Sequence, residues 1–212
     1  MVYRDFETIK DVKAKFPITV SSAHSLFTDV EVVEPSAFLQ EALTENIPIA
    51  LNVNTEKAQS ELIITPILIE VRKLFDRRIN FFSGVDFTID QEVGLSGYCD
   101  YILSASPEKM FIAAPIICMV EAKNERISSA YGQCLAEMIA AQRFHQAEAN
   151  NQVDTNLITT VWGAATTGTT WRFLRLEGND ARIDPDEYPI SQVDKLLGIF
   201  RHMVKASHRA IT

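Results

Sequence analysis

The sequence predicts an α/β (α+β) layer structure, and three observations carry that expectation. Segments 55–76, 128–148 and 190–205 place apolar residues at helical 3–4 spacing. Between the first two lie three runs, and after the second two more, rich in β-branched and aromatic residues and bounded by turn residues. One of them, FIAAPIICMVEAK (111–123), is almost continuously apolar, the pattern of a central strand covered on both faces. The order is helix, three strands, helix, two strands, helix. At 212 residues the chain is long enough to bury a substantial core, so one domain over 1–212 is expected. It divides into an N-terminal extension packing on the core (1–54), the core itself (55–178), and a C-terminal linker and helix (179–212).

Each element has its own justification. Phe6, Ile9, Val12 and Phe16 give residues 4–16 a helical spacing with a charged outer face. Two β-branched stretches follow, ITV (18–20) and VEVV (30–33). Pro35 opens a short helix over SAFLQEALT, since proline suits a first helical turn, and IPIALNV (47–53) reads as a short strand. Thr55 is placed to cap the helix 55–76, and Pro66 predicts a kink or break near 62–66, because it lacks an N–H and crowds the carbonyl of Leu62. Strand runs 79–90 and 95–106 are joined by the polar link Gln91–Gly94, suited to a hairpin. In 111–123 the strand proper begins after Pro115, which a central ladder tolerates poorly. Ser128 or Ser129 is available to cap the second long helix. Runs 157–165 and 170–178 form a pair across TTGT, and the turn-rich DARIDPDEYP precedes the last helix.

Composition narrows the class of function. The chain is 47% hydrophobic and 23% charged, ordinary for a globular protein, and no apolar run reaches the roughly 20 residues of a membrane helix. MVYRDFETIK lacks the apolar core of a signal peptide, and Cys99, Cys118 and Cys134 are too scattered for a disulfide framework or zinc site. A reduced, cytoplasmic protein with core-filling cysteines is expected. A net charge of −8 argues against a sequence-independent DNA coat, though not against an enzyme whose carboxylates hold metal ions. His24, His145, His202 and His208 show no metal spacing and read as surface residues. Trp162, Trp171 and Phe173 read as core.

The chemistry is concentrated in ICMVEAKN (117–124). Residues two apart on a strand share a face, so Glu121 and Lys123 point the same way and Ala122 the other. Asp100 sits in the preceding strand, in GYCDYIL, among apolar and aromatic neighbours. If the two strands are adjacent, two carboxylates and an ammonium share one site. An isolated ExK is most simply a salt bridge where a strand meets solvent. Acids inside apolar strands carry more information, because an unpaired buried charge is costly.

The order of a helix carrying Glu61, a strand pair with Asp100 on its second member, a strand ending Glu121-Ala122-Lys123, and a helix carrying Gln133 resembles the PD-(D/E)xK nuclease superfamily. The resemblance covers residues 55–176 and is to a pattern; Cys99 stands where the motif has proline. It implies a restriction-endonuclease-like three-layer core, a central mixed β-sheet flanked by helices. It also implies a Mg²⁺ site, with Mn²⁺ as a substitute, held by Asp100, Glu121 and the carbonyl of Ala122. Lys123 would orient or help deprotonate the attacking water. Glu61 would face the site from the first helix as a metal ligand, directly or through water, with Glu70 as the competing helix acid. Gln133 would point at the site from the second helix; a plain solvated glutamine is the other reading, and Glu137 occupies the place of the aromatic partner usual four residues on. The implied function is metal-dependent hydrolysis of phosphodiester bonds, in DNA rather than RNA, with a homodimer as one possible state. The alternatives are a non-catalytic binding or assembly subunit of the same fold, and an unrelated α/β protein with an accidental ExK.

Overall fold

Every side chain from Ile116 to Ala122 is buried, which puts this strand at the centre of a sheet with helices on both faces. The computed structural model describes residues 1–124, 126–151 and 159–207. In chain order, the N-terminal region holds α1 (Ile9–Lys15), β1 (Thr19–Ser21) and α2 (Ala37–Val53). Then come α3 (Glu56–Gln59), α4 (Thr65–Leu74), β2 (Asn80–Asp86), β3 (Tyr98–Ser104) and β4 (Ile116–Ala122). The remainder is α5 (Tyr131–Asn151), β5 (Thr160–Thr166), β6 (Thr170–Glu177), β7 (Asp180–Ile183), β8 (Tyr188–Pro189) and α6 (Val193–Ser207).

Among the described residues, eight strands form one mixed sheet in the order β1-β7-β6-β5-β4-β3-β2, with β8 beside β6. β1 runs parallel to β7 and β4 parallel to β5, while the other neighbours are antiparallel. Side-chain alternation divides the strands between two cores. Val120, Ala122, Trp162 and Ala164 pack with residues of α2, α4 and α6; Met119, Val161 and Ala165 pack with α1 and α5. Each fully buried aliphatic or aromatic side chain contributes about 1.5–3 kcal/mol. The two cores therefore outweigh any single polar contact and can hold unfavourable charge at their edge. No described helix is long and apolar enough to cross a membrane.

The N-terminal region departs most from expectation. The helix expected over 4–16 is a 3₁₀ turn at Tyr3–Asp5 and then α1, because Thr8 and Asp11 form a reciprocal cap that starts the helix at Ile9. ITV supplies β1, but VEVV forms no strand: Val33 N–H donates to the carbonyl of Asp194 in the first turn of α6. The helix expected over SAFLQEALT runs on to Val53 and absorbs IPIALNV. Leu39, Leu43 and Ala50 share its buried side, while Ile49, Leu51 and Val53 remain about half exposed, so their alternation reflects no sheet face.

Thr55 caps its helix as expected, accepting from Ala58 N–H. Instead of a break, the helical run carries a π-turn at Ser60–Ile64, ending two residues before Pro66. Pro66 cannot donate to the carbonyl of Leu62, and the Asn46 amide from α2 donates to that oxygen at 2.9 Å instead. The Tyr101 hydroxyl bonds the Ser60 carbonyl and the Thr65 hydroxyl, bracing the turn from β3.

The strand at 111–123 begins after Pro115, as expected, and the turn Gln91–Gly94 closes a loop between β2 and β3. Residues 157–158 lie outside the described residues, and β5 and β6 pair across Thr167–Thr169. DARIDPDEYP contains β7 and β8, strands too short to register as an alternation. A 3₁₀ turn at Ile127–Ala130 precedes α5, and Ser129 Oγ donates to the Arg126 carbonyl. The three cysteines are buried free thiols, and Trp162, Trp171 and Phe173 are core. His145 is not a surface residue: it is 5% exposed, and its Nε2 accepts the Ile116 N–H at 2.8 Å, satisfying the first amide of β4. His208 lies outside the described residues.

Candidate active site

The end of β4 is fixed by its partners on either side. Glu121 pairs with Ala165 and Ala122 with Thr166 of β5, and Lys123 N–H donates to the Thr166 carbonyl, which continues the ladder one residue further. On the other side the regular β3–β4 pairing ends at Tyr101↔Val120. There the Asp100 carboxylate takes over: its Oδ2 accepts the Ala122 N–H at 2.8 Å. A local irregularity places it. Cys99 packs into the α5 side of the sheet and Tyr101 into the α4 side, so alternation switches at Asp100. Gly84, between the pairs Ser83↔Tyr101 and Val85↔Cys99, adopts φ +61°, a left-handed conformation glycine accepts freely.

Asp100, Glu121, Ala122 and Lys123 thus meet where β4 leaves the core. Glu121 is 1% exposed. Its Oε1 receives Lys123 Nζ at 2.5 Å, and its Oε2 is buried with no hydrogen-bond partner among the described residues. Burial, then the neighbouring Glu137 and Asp100 carboxyls, push Glu121 well above the usual carboxylate range. Lys123 also donates to Gln133 Oε1 at 3.2 Å. Burial pulls its ammonium down, but Glu121, Glu56 and Asp100 outweigh that and hold its pKa above the ordinary lysine value.

Gln133 is buried and directed at the site rather than solvated, and Gln133 Nε2 donates to Glu137 Oε1 at 3.2 Å. Glu137 is fully buried beside Glu121, and its Oε2 also lacks a hydrogen-bond partner among the described residues. Burial first and Asp100 second push its carboxyl up to about 8. The residues Tyr131–Ala141 of α5 are buried on all sides, so the helix has no solvent face there to receive Gln133 and Glu137.

Glu61 does not join this group. It lies 62% exposed, paired with Lys57 at 3.1 Å, while the π-turn directs Ile63 and Ile64 to the core. Glu70, the other helix acid, is structural: it accepts the Ser36 N–H at 2.9 Å and pairs with Lys73. Its pKa is lowered: burial raises it, and the bonds from Ser36 and Lys73 prevail. The acid that α3 brings near the site is Glu56, raised by burial and by Asp100 and opposed by Lys123. Sequence reasoning gave Glu56 no role, and nothing in the sequence beyond its position after the Thr55 cap marks it. Glu137 did carry a signal, a carboxylate inside the apolar run CLAEMIAA.

The residues fit a small hard cation in a specific way. Four carboxyls, from Asp100, Glu121, Glu137 and Glu56, face Lys123, the only cationic side chain bonded to them among the described residues. A buried excess of negative charge needs a proton or a cation, and Glu121 Oε2, without a hydrogen-bond partner among the described residues, can take either a cation or a proton shared with the neighbouring Glu137. Among the described residues no three His, Cys, Asp or Glu side chains form a ready-made metal cage. Mg²⁺ does not need one, since one or two carboxylates with waters and substrate phosphates are its usual protein ligands. No family model, curated protein or solved structure matches the chain.

Proposed function

We propose that this chain is a metal-dependent nuclease of the PD-(D/E)xK type with a restriction-endonuclease-like fold, hydrolysing phosphodiester bonds in DNA. The observation that carries the reading is the meeting of Asp100 with Glu121-Ala122-Lys123 at the end of β4, with Glu121 Oε2 left bare. The topology supports it: a helical segment, three antiparallel strands, a helix, and then β5 parallel to β4.

Asp100 and Glu121 would hold Mg²⁺, with the Ala122 carbonyl as a further oxygen ligand. When bound, the ion supplies Lewis-acid activation of water and offsets charge on the phosphate. The chain's own contributions follow from the geometry. Asp100 locks the end of β4 to β3 through the Ala122 N–H, so the two acids stay in fixed relation. Lys123 remains protonated at neutral pH, which makes it a donor to the attacking water or a phosphate oxygen rather than a base. Gln133 and Glu121 hold its ammonium from two sides. Water adds hydroxide to phosphorus, the P–O3′ bond breaks, and O3′ leaves with a proton.

Single- and double-stranded DNA incubated with Mn²⁺ or Mg²⁺ tests this, beside Asp100→Asn and Lys123→Ala. Each variant is expected to lose about 100-fold or more in rate. Equal cleavage by the variants, or none by the wild type, overturns the enzyme. Mn²⁺ binding by the wild type without cleavage favours the binding or assembly subunit.

A further inference from the structure

A cavity of about 390 Å³ opens beside this site, and Lys123 and Gln133 line both. That volume falls within the roughly 300–1,000 Å³ of ligand sites. Its other walls come from two stretches far apart in sequence, Arg4–Thr8 and Arg126–Ser129. Of the residues lining it, Arg4 and Arg126 face one carboxylate, Glu7, while Lys123 is already paired with Glu121, in a molecule whose net charge is −8. Arg4 and Arg126 are exposed, and neither forms an ion pair among the described residues. Thr8, Ser128 and Ser129 line the same space, with Thr8 Oγ1 engaged in the cap of α1 and Ser129 Oγ on the Arg126 carbonyl.

The N-terminal wall is held rigidly. Arg4 stands between Tyr3 and Phe6, both fully buried. Tyr3 Oη donates to the Phe87 carbonyl at 2.6 Å, and Tyr3 N–H donates to the Ser96 carbonyl. The Phe6–Thr8 backbone crosses Gly132 so closely that a Cβ there would lie 2.4 Å from the Phe6 carbonyl oxygen. Glycine at the start of α5 is what lets the segment reach the site.

We propose that this cavity binds a backbone phosphate of the nucleic-acid strand next to the one being cut, with Arg4 and Arg126 as its two walls. The assignment rests on the nuclease reading and gives the first residues of the chain a substrate-positioning role. Guanidinium groups match phosphate oxygens in geometry and charge, and two arginines lining one cavity restrict how the strand can lie. Lys123 and Gln133, shared with the acid cluster, place the bound phosphate directly beside the reacting one. The contacts fix position and carry no base information.

The test is binding of a labelled oligonucleotide by fluorescence anisotropy in EDTA, across a salt series, with cleavage measured separately in Mn²⁺. The Arg4→Gln/Arg126→Gln variant should bind roughly 10-fold or more weakly at low salt. Its slope of log K against log salt should flatten by about 1.4 for single strands or about 1.8 for duplex, the loss of two phosphate contacts. In cleavage, KM should rise more than kcat falls. Lys205→Gln, an exposed position on α6 on the opposite face of the sheet, should match wild type. Both arginines are exposed, so unchanged melting of the double variant separates lost contacts from lost fold. Wild-type affinity and slope in that variant, or a loss no larger than that of Lys205→Gln, overturns the cavity assignment and leaves the nuclease standing. Wild-type protein that neither binds nor cuts DNA overturns both.

Discussion

Glu137 is the residue on which the electrostatics of the site turn. Its side chain is fully buried, it shares the Gln133 amide with Lys123's network, and its carboxyl is raised to about 8. A carboxyl whose folded pKa is raised stays protonated in the fold while the unfolded chain has already ionised. Its contribution to stability is therefore complete below about pH 4.5 and is lost as pH rises through about 8. Glu137→Gln keeps the shape and removes the ionisation. In EDTA, its melting temperature should fall less than that of wild type between those two pH values. At the upper end it should be more stable than wild type by at least about 1 kcal/mol, since one pKa unit corresponds to 1.36 kcal/mol. Parallel melting curves at both ends check this, and an identical pH dependence in both proteins would refute the assignment. The acids were unevenly legible. Asp100, Glu121 and Lys123 stood out because charges are rare in apolar strands. Glu61 was expected at the site and lies outside it, because its direction depends on a π-turn that a 3.6-residue period cannot anticipate.

At the scale of the element, Pro66 shows what sequence can and cannot carry. It marks a place where a helix loses one donor, and a kink or break is the local expectation. The remedy came from elsewhere in the chain, from Asn46 on α2 and Tyr101 on β3, and no reading of residues 55–76 could supply it. The two are testable as a pair. Asn46→Ala should cost about 1 kcal/mol, the usual net worth of one hydrogen bond. In a Pro66→Ala background, the backbone N–H restored at that position can donate to the Leu62 carbonyl, and the cost of losing Asn46 should shrink. Denaturant unfolding of the four proteins of this cycle reads the coupling, and strict additivity would mean that Asn46 is not replacing the missing donor. IPIALNV teaches a related lesson. Its alternating apolar residues were read as a strand, but α2 leaves three of them half exposed, so the pattern had no buried face to report. The strands at 80–86, 98–104 and 116–122 were legible because tertiary packing and local pattern agree there.

Across the whole molecule, the two cores fix a sheet in which the end of β4 gathers more buried carboxyls than Lys123 neutralises. The sequence indicated the layers but not the far edge: β1 joins parallel to β7 across some 160 residues, a pairing with no local signature. On the proposed metal-dependent reading, that architecture would make the fold itself a sensor of the cation. An ion bound by Asp100 and Glu121 in the native state is lost on unfolding, when β3 and β4 separate, so stability must rise with its concentration by mass action. At about 100 times Kd, the gain should reach about 2.7 kcal/mol. Thermal unfolding in EDTA and then in increasing Mn²⁺ reads it directly, with Asp100→Asn as the control that should lose the shift. Ca²⁺ should bind as well, because hard oxygen ligands accept it, without supporting turnover at the same rate. A melting temperature independent of Mn²⁺, or a shift of equal size in Asp100→Asn, would mean that the carboxyls at the end of β4 are neutralised by protons and not by metal.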